Sequence, residues 1–466
     1  MKLSRKLMAS ALAVLMSVSV LAGCGSSDSS SVSESTASKS EPESKQDASS
    51  ADDSQEDNKP ADESKPDDSS STFTIDTAAV EADLAEWNEL SQTEITAAMG
   101  AGWNLGNQLE ALSGSTPSET AWGNPVITKE MLELVKSQGF STVRIPVTYL
   151  STIGEGPDYT VDSAWLDRVE EVVKYALDSG LYAIINMHGD GYYSIRGSWL
   201  LCADDNQEEI RDKYSKVWGQ IADRFKDYDE HLIFESMNEE FNGEYGDPDR
   251  AAYENINAYN QTFVDTVRQT GGNNGKRWLL LPGWNTDINF TVGDYGFAIP
   301  TDEHCESDSN RIMISVHFYD PYNFTIDEND SSIKTQWGKG AKRGKKDNWG
   351  QEAHVEKQMK ALNDAFVSKG YPVVIGEMGC MDRSDKDAQS NEFRAYWYEY
   401  VCNQAKLNGA VPVIWDNGWN GKNALAFFDR HELTVSQPEL VAAVIRAMTT
   451  EGDYEITAPV TAEAAA

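Results

Sequence analysis

The chain has 466 residues, 40% of them hydrophobic, 10% aromatic and 25% charged, which is enough apolar material for a packed core over most of its length. Lys and Arg total 39 against 76 Asp and Glu, a formal net charge of −37. With no basic stripe to offset it, that balance excludes a nucleic-acid-binding face and suits a neutral polymer as partner.

Lys2, Arg5 and Lys6 precede an apolar run from Leu7 to Leu21, followed by the small residues Ala22 and Gly23. This pattern reads as a signal segment over residues 1–23, too short and too rich in Ser and Ala for a spanning helix. Leu21-Ala22-Gly23-Cys24 resembles a bacterial lipobox, which implies lipid attachment at Cys24 and an exported protein held at the cell surface by a membrane anchor. In residues 25–72, 17 of the 48 residues are Ser, 13 are acidic and none is aromatic. Such a segment cannot offset its ordering entropy by burial, so residues 24–72 are expected to form a disordered, self-repelling linker. No second low-complexity stretch follows, which predicts one domain over 73–456 and a flexible tail over 457–466.

Within that domain, short apolar runs alternate with helical patterns. The predicted strands are Gly100–Leu105, Thr142–Val147, Tyr182–Met187, Leu232–Ser236, Trp278–Leu281, Ile312–Val316, Val373–Ile375 and Val411–Trp415. The predicted helices are Thr128–Ser137, Ala164–Leu177, Glu208–Phe225, Tyr253–Val267, Ala353–Phe366, Phe393–Lys406 and Glu439–Met448. Strands alternating with helices imply a parallel sheet, and eight units in this length fit a closed α/β TIM barrel, (β/α)8. The fifth crossover, with no clear long helix, is the weakest unit. An open doubly wound sheet would need a phosphate loop that GWNLGN does not supply.

A barrel demands that chemistry lie just after its strands. Trp103, Asn104 and Asn107 follow strand one, Arg144 lies in strand two, and His188 follows strand three. Asn238 and Glu239 follow strand four, His317 and Tyr319 strand six, Glu377 strand seven, and Trp415 ends strand eight. Two carboxylates with an Arg, two His, a Tyr and several Trp suit glycosidic hydrolysis. One carboxyl must be protonated for the leaving oxygen, and the other ionised for the opposite sugar face. Flat indoles such as Trp122, Trp103, Trp199, Trp284 and Trp419 are candidate platforms for pyranose rings, each with core packing as its rival role.

The runs GWNLGNQLEA, TAWGNP, VRIPVTY, INMHGDGYY, LIFESMNEE, ISVHFYDPYNF, VVIGEMG and VPVIWDNGWNG, in this order over roughly Met99 to Arg430, resemble glycoside hydrolase family 5. The likeness is strongest to its bacterial endoglucanase and xyloglucanase members. It implies a retaining, endo-acting enzyme on β-1,4-glucosidic bonds of plant cell-wall polysaccharide, cellulose/β-glucan or xyloglucan. By the same resemblance Glu239 is the acid/base and Glu377 the nucleophile. Arg144 keeps the nucleophile charged, Tyr319 donates to it, and His317 stands near the acid/base. Asn238 binds the sugar 2-hydroxyl, His188 another hydroxyl, and Trp415 is the stacking platform. Asn107, after strand one, and Trp122 are read from their positions as further substrate-binding or supporting residues. Loop residues Trp199, Trp337 and Tyr322 are expected to decide among substrates.

The chain departs from the family where a His-His pair gives way to His188-Gly189, and where Glu240 replaces Pro after Asn-Glu. Glu240 is expected either to bias Glu239 or to face solvent. Glu235 is read as a deeper, paired decoy, and Glu110, Asp190 and Asp416 as non-catalytic loop acids. Cys202, Cys305, Cys380 and Cys402 leave disulfides and buried thiols both open. No metal and no cofactor is expected, since GWNLGN lacks the His-x-His of a metal-dependent barrel and the chain has only six His. The partners expected are a β-linked plant polysaccharide and, through the lipid, a membrane, with the protein a monomer. Two other readings stay open: a non-catalytic cell-surface glycan-binding lipoprotein, and the same fold acting on β-mannan.

Overall fold

The eight apolar runs become eight parallel strands closed into one ring. They are β1 (Gly102–Asn104), β2 (Thr142–Ile145), β3 (Tyr182–Asn186), β4 (Leu232–Glu235), β5 (Leu279–Asp287), β6 (Ile312–Phe318), β7 (Val373–Met378) and β8 (Ala410–Ile414). Each pairs with its sequence neighbour, and β8 returns to β1 through Gly102 opposite Val413 and Trp103 opposite Ile414. This computed structural model describes residues 87–461. The signal segment 1–23, lipidation at Cys24 and the 24–72 linker fall outside the described residues, as do 73–86 and 462–466.

Helices α1 (Lys129–Ser137), α2 (Ser163–Asp178), α3 (Gln207–Phe225), α4 (Arg250–Gln269), α5 (Ile288–Val292), α6 (Glu352–Ala365), α7 (Ser390–Leu407) and α8 (Pro438–Thr449) fill the crossovers. Their starts follow local chemistry: Asp162, Asp249 and Asp287 each accept a hydrogen bond from the backbone N–H of the third residue of the helix they cap. The weak fifth crossover holds only a five-residue helix, directly after β5 at Asp287, and residues 293–311 then run to β6 without a helix. No helix among the described residues is long and apolar enough to cross a membrane.

Strand alternation divides the apolar residues between two cores. Outward residues such as Val143, Ile185, Phe234, Leu281, Ile314 and Ile375 pack beneath the helices. Inward residues Ile184, Ile233, Leu280, Met313, Val374, Val411 and Val413 fill the barrel. A leading helix, Gln92–Met99, plugs this inner core from the N-terminal end with buried Ile95 and Met99. It begins at a capping box in which Ser91 and Glu94 satisfy each other's backbone N–H groups. With the bottom of the barrel filled by hydrocarbon, the polar side chains that share the inward face are left to the C-terminal end.

Two sequence expectations resolve here. All four cysteines within the described residues are free thiols, Cys202, Cys380 and Cys402 buried and Cys305 half-buried, so no disulfide braces the barrel. Residues 457–461 of the expected tail are described, and Ala458 among them packs on the outer core.

The closing seam depends on a missing side chain. A Cβ on Gly102 would stand 2.7 and 2.9 Å from the two Val413 methyls, inside van der Waals contact and within a filled core. Gly102→Ala is expected to lower unfolding stability by about 1–3 kcal/mol through overpacking. Urea or thermal denaturation measures this, and an unchanged midpoint would contradict the tight seam.

Candidate active site

The inward face turns polar one layer above the hydrocarbon. Arg144 on β2 and Glu235 on β4 are both fully buried and form an ion pair, Nε to Oε2 at 2.7 Å. Glu235 also accepts from Asn186 Nδ2 at 3.0 Å and Ser315 Oγ at 2.7 Å, which accounts for both its oxygens. It is the deep, paired acid expected from its strand parity.

Arg144 spends its remaining donors upward. Nη1 reaches Glu377 Oε1 at 2.9 Å and Asn104 Oδ1 at 3.1 Å, and Nη2 reaches Asn238 Oδ1 at 2.6 Å. Burial by itself disfavours the guanidinium cation, but the charges of Glu235 and Glu377 more than reverse this and hold Arg144 charged. The second oxygen of Glu377 accepts from Tyr319 at 3.0 Å. Burial pushes the Glu377 carboxyl up, and the nearby Glu239 adds to this; His317, Arg144 and the Tyr319 hydrogen bond pull it back only in part, so the carboxyl stays above its ordinary range. Two donors fixed on its two oxygens favour its ionised form.

Glu239 faces different partners. Its Oε1 lies 2.7 Å from His317 Nδ1, and its Oε2 accepts from Tyr192 at 3.0 Å. One oxygen of Glu239, one of Glu377 and a His317 nitrogen lie within 4.8 Å of one another. Three such groups can suit a metal, yet here a cation would share its ligand Glu377 with a guanidinium 2.9 Å away. The other cluster of this kind among the described residues, Asp229, Glu230 and His231, precedes β4 at the N-terminal end of the barrel.

The cleft above these groups opens to solvent. Of the sequence-predicted residues, Asn107, Trp122, His188, Glu239, Tyr319, Glu377 and Trp415 line it, while Arg144, Asn238 and His317 support it from behind. Burial, reinforced by Arg144 and His317, drives the His188 imidazole well below its usual range, so the ring is neutral. Asn186 must accept the Val147 N–H through Oδ1, so its amide nitrogen faces His188 Nδ1 at 3.2 Å. That makes Nδ1 an acceptor and places the ring hydrogen on Nε2. His188 stacks on Trp415 at 6.0 Å and 13°. A Cβ at Gly106 would strike the Trp415 indole at 2.9 Å, which explains the second glycine of GWNLGN.

Several expectations need correction. Trp103 is buried, with Nε1 donating to Asp416, and Trp284 is 2% exposed, so both are core. Trp199 donates to Asp190 and lies beneath Lys213, and fully buried Trp337 donates to Gly350, so neither is placed to select a substrate. Trp419 is 56% exposed but is not part of the cleft wall. Glu240 neither meets Glu239 nor faces solvent. It is 2% exposed, turned toward Cys202 N, and burial pushes its carboxyl well up. Asp190 staples the backbone N–H groups of Tyr149 and Leu150. Asp416 ties Trp103, Phe427 and Arg430 together. Sequence reasoning missed Tyr192, Phe241 and Tyr245 as cleft residues. The aromatic pair after the glycines of GDGYY was the only signal for the first.

A (β/α)8 barrel whose C-terminal rim brings two carboxyls together, one of them on a buried guanidinium and a phenol, has the framework of a glycosidase. The Cellulase family, glycosyl hydrolase family 5, matches residues 104–421. Endoglucanase A of Paenibacillus barcinonensis is 52% identical over 375 residues, 79% of this chain and 93% of that protein. A family 5 xyloglucanase from Paenibacillus pabuli, solved with a ligand, superposes with a TM-score of 0.75 at 53% identity, covering 76% of this chain and all of that one. The xyloglucan-specific endo-beta-1,4-glucanase of Bacteroides ovatus is 38% identical over 77% of this chain and 70% of its own length. The chain belongs to glycoside hydrolase family 5.

Glu110 lies fully buried in the cleft wall, and burial pushes its carboxyl up to about 7 against the backbone N–H groups of Asn107 and Gln108 and the Arg430 charge. Its folded value thus exceeds the ordinary 4.5, so the folded state holds its proton more tightly than the unfolded chain. The resulting stability is complete below about pH 4.5 and is lost as pH rises through about 7. Glu110→Gln should flatten the thermal midpoint across that window. A midpoint profile parallel to that of the parent would count against the buried-proton reading.

Proposed function

We propose that this enzyme is a retaining endo-β-1,4-glucanase of plant cell-wall polysaccharide, with Glu377 as nucleophile and Glu239 as acid/base. One observation carries the division of roles. Arg144 and Tyr319 both donate to Glu377, whereas Glu239 has no guanidinium partner and sits between a phenol and an imidazole. When two close carboxyls share one proton, the proton goes to the one without the fixed cation.

In the first half-reaction Glu377 attacks the anomeric carbon as Glu239 hands its proton to the departing glycosidic oxygen. In the second, Glu239 takes a proton from water, and the water oxygen displaces Glu377 from that carbon. The contact within 4.8 Å between the carboxyls supports this path, since an inverting enzyme keeps them about 6.5–9.5 Å apart to hold a water. Asn238 fits the 2-hydroxyl, neutral His188 offers an Nε2–H to another hydroxyl, and Trp415 carries the apolar face of the ring. Endoglucanase A and the family 5 xyloglucanase favour β-1,4-glucan and xyloglucan as substrates.

Glu377→Ala should abolish turnover of every glycoside. Glu239→Ala should lose about 10²–10⁴-fold on polymers yet far less on aryl glycosides whose leaving group needs no proton. NMR of the first product formed from β-glucan should show the β-anomer; the α-anomer appearing first would rule out retention.

We also propose export and lipid anchoring as a monomer, on the strength of the Leu21-Ala22-Gly23-Cys24 run and the linker composition. Cys24→Ala should move the full chain from the membrane fraction to the medium, or leave it unprocessed. Normal processing with unchanged membrane retention would exclude the anchor.

A further inference from the structure

We infer that Tyr192 is a positioning residue for the acid/base, the last link of a one-way hydrogen-bond chain that starts at Arg144 and ends on Glu239. The inference rests on the proposed role of Glu239 and deepens it. Its direction follows from donor chemistry alone. A guanidinium only donates, so the Asn238 atom 2.6 Å from Arg144 Nη2 must be the carbonyl oxygen Oδ1. The Asn238 amide nitrogen is then the atom 2.6 Å from the Tyr192 oxygen, and it donates there. With that lone pair taken, the Tyr192 hydrogen is free for Glu239 Oε2 at 3.0 Å. Arg144 therefore fixes Glu377 directly and Glu239 through two intermediates.

Tyr192 is built into this place. Its loop begins with a short 3-10 turn over Gly189–Gly191, where a Cβ on Gly191 would collide with the Glu240 carboxylate. Glu240 in turn accepts from Cys202 N on the far side of the same loop. The carboxyl side chain that replaces Pro after Asn-Glu thus braces the loop carrying Tyr192. Burial, together with the charges of Glu239 and Glu377, holds the phenol well above its usual range, so its hydrogen is present at every working pH.

A donor that is always present fixes which oxygen of Glu239 faces the phenol. It also fixes the carboxyl plane with Oε1 toward His317. The other ionisable groups facing Glu239 are His317, Glu377, Tyr319 and Tyr245, with Arg144 behind Asn238. None of them replaces the Tyr192 hydrogen on Oε2.

The test is the pH dependence of kcat/KM on a β-glucan oligosaccharide. Tyr192→Phe keeps the ring and should move the alkaline limb up by about one pH unit, as expected for loss of one hydrogen bond to a charged group. Incorporating 3-fluorotyrosine at 192 strengthens the donor and should move that limb down. KM should change little in either protein, because the phenol acts on the proton donor. If both variants fold and neither limb moves, the inference is overturned. If Glu239→Ala keeps full activity on poor leaving groups, the acid/base assignment fails instead. Should Tyr192→Phe not fold, the direction of the fluorotyrosine shift alone decides.

Discussion

The site is organised by one buried guanidinium. Arg144 has no exposed surface, and each of its three nitrogens donates to a named acceptor: Glu235 below, Asn104 and Glu377 beside it, Asn238 above. A buried cation is tolerable only when paired and hydrogen-bonded. Here the pairing is divided between an acid that does no chemistry and one that does. Glu235 supplies charge compensation that stays constant while the charge on Glu377 is consumed by covalent bonding. Without Glu235, forming the glycosyl-enzyme would strip Arg144 of its only carboxylate and leave a desolvated cation. Breaking a buried pair of this kind typically costs about 3–5 kcal/mol, which would weigh against the intermediate. The decoy carboxylate is therefore part of the energetics of turnover.

The strand-end positions were legible because two constraints coincide in the sequence. Strand alternation sends every second residue into the barrel, and only the C-terminal end of the inward face is free of hydrocarbon. Arg144, Glu235, His317 and Glu377 sit at strand ends for this reason, and Asn238 and Glu239 follow just after β4. The order of blocks added the likeness to relatives and with it the division of roles. What could not be read was the direction taken by loop side chains. Glu240 follows Glu239 by one residue yet turns to Cys202, because an intervening backbone turn, with Glu240 N bonded to Asn238 O, reverses the chain. Trp199 and Trp337 have the composition of sugar platforms, but each indole N–H finds an internal acceptor and closes inward. Nothing in their local sequence encodes those acceptors, which lie on turns 9 and 13 residues away. The fifth crossover was weak in the sequence and is weak in the fold, since a five-residue helix leaves no periodicity to detect.

Glycine marks where side chains crowd. Gly102 admits Val413 at the seam, Gly106 admits the Trp415 indole, and Gly191 admits the Glu240 carboxylate. These three contacts lie at the bottom of the barrel, under Trp415 and behind Glu239 respectively. In each case the larger neighbour does the packing, and the glycine supplies only the space. The reason for Gly191 is visible only once Glu240 is seen to be buried.

The strong acidity of the chain must then be reconciled with a site that depends on one proton. Charges on the surface are screened over about 8 Å at physiological salt, whereas Arg144, Tyr319, Tyr192 and His317 touch the two carboxyls directly. Contact groups in a desolvated layer therefore set which carboxyl keeps the proton, and the net charge of −37 has little say in it. The charge acts instead on what approaches the cleft. A neutral polysaccharide feels no repulsion from an acidic surface, while anionic polymers do. The cleft wall matches that selection: it presents Trp122, Trp415, Tyr245 and Phe241 to the substrate. Its carboxyls are either Glu239 and Glu377 or, like Glu110, turned into backbone N–H groups. Binding by aromatic faces and reaction by a buried charge layer are thus kept on different sides of the same rim. This separation lets the loops vary in substrate without disturbing Arg144.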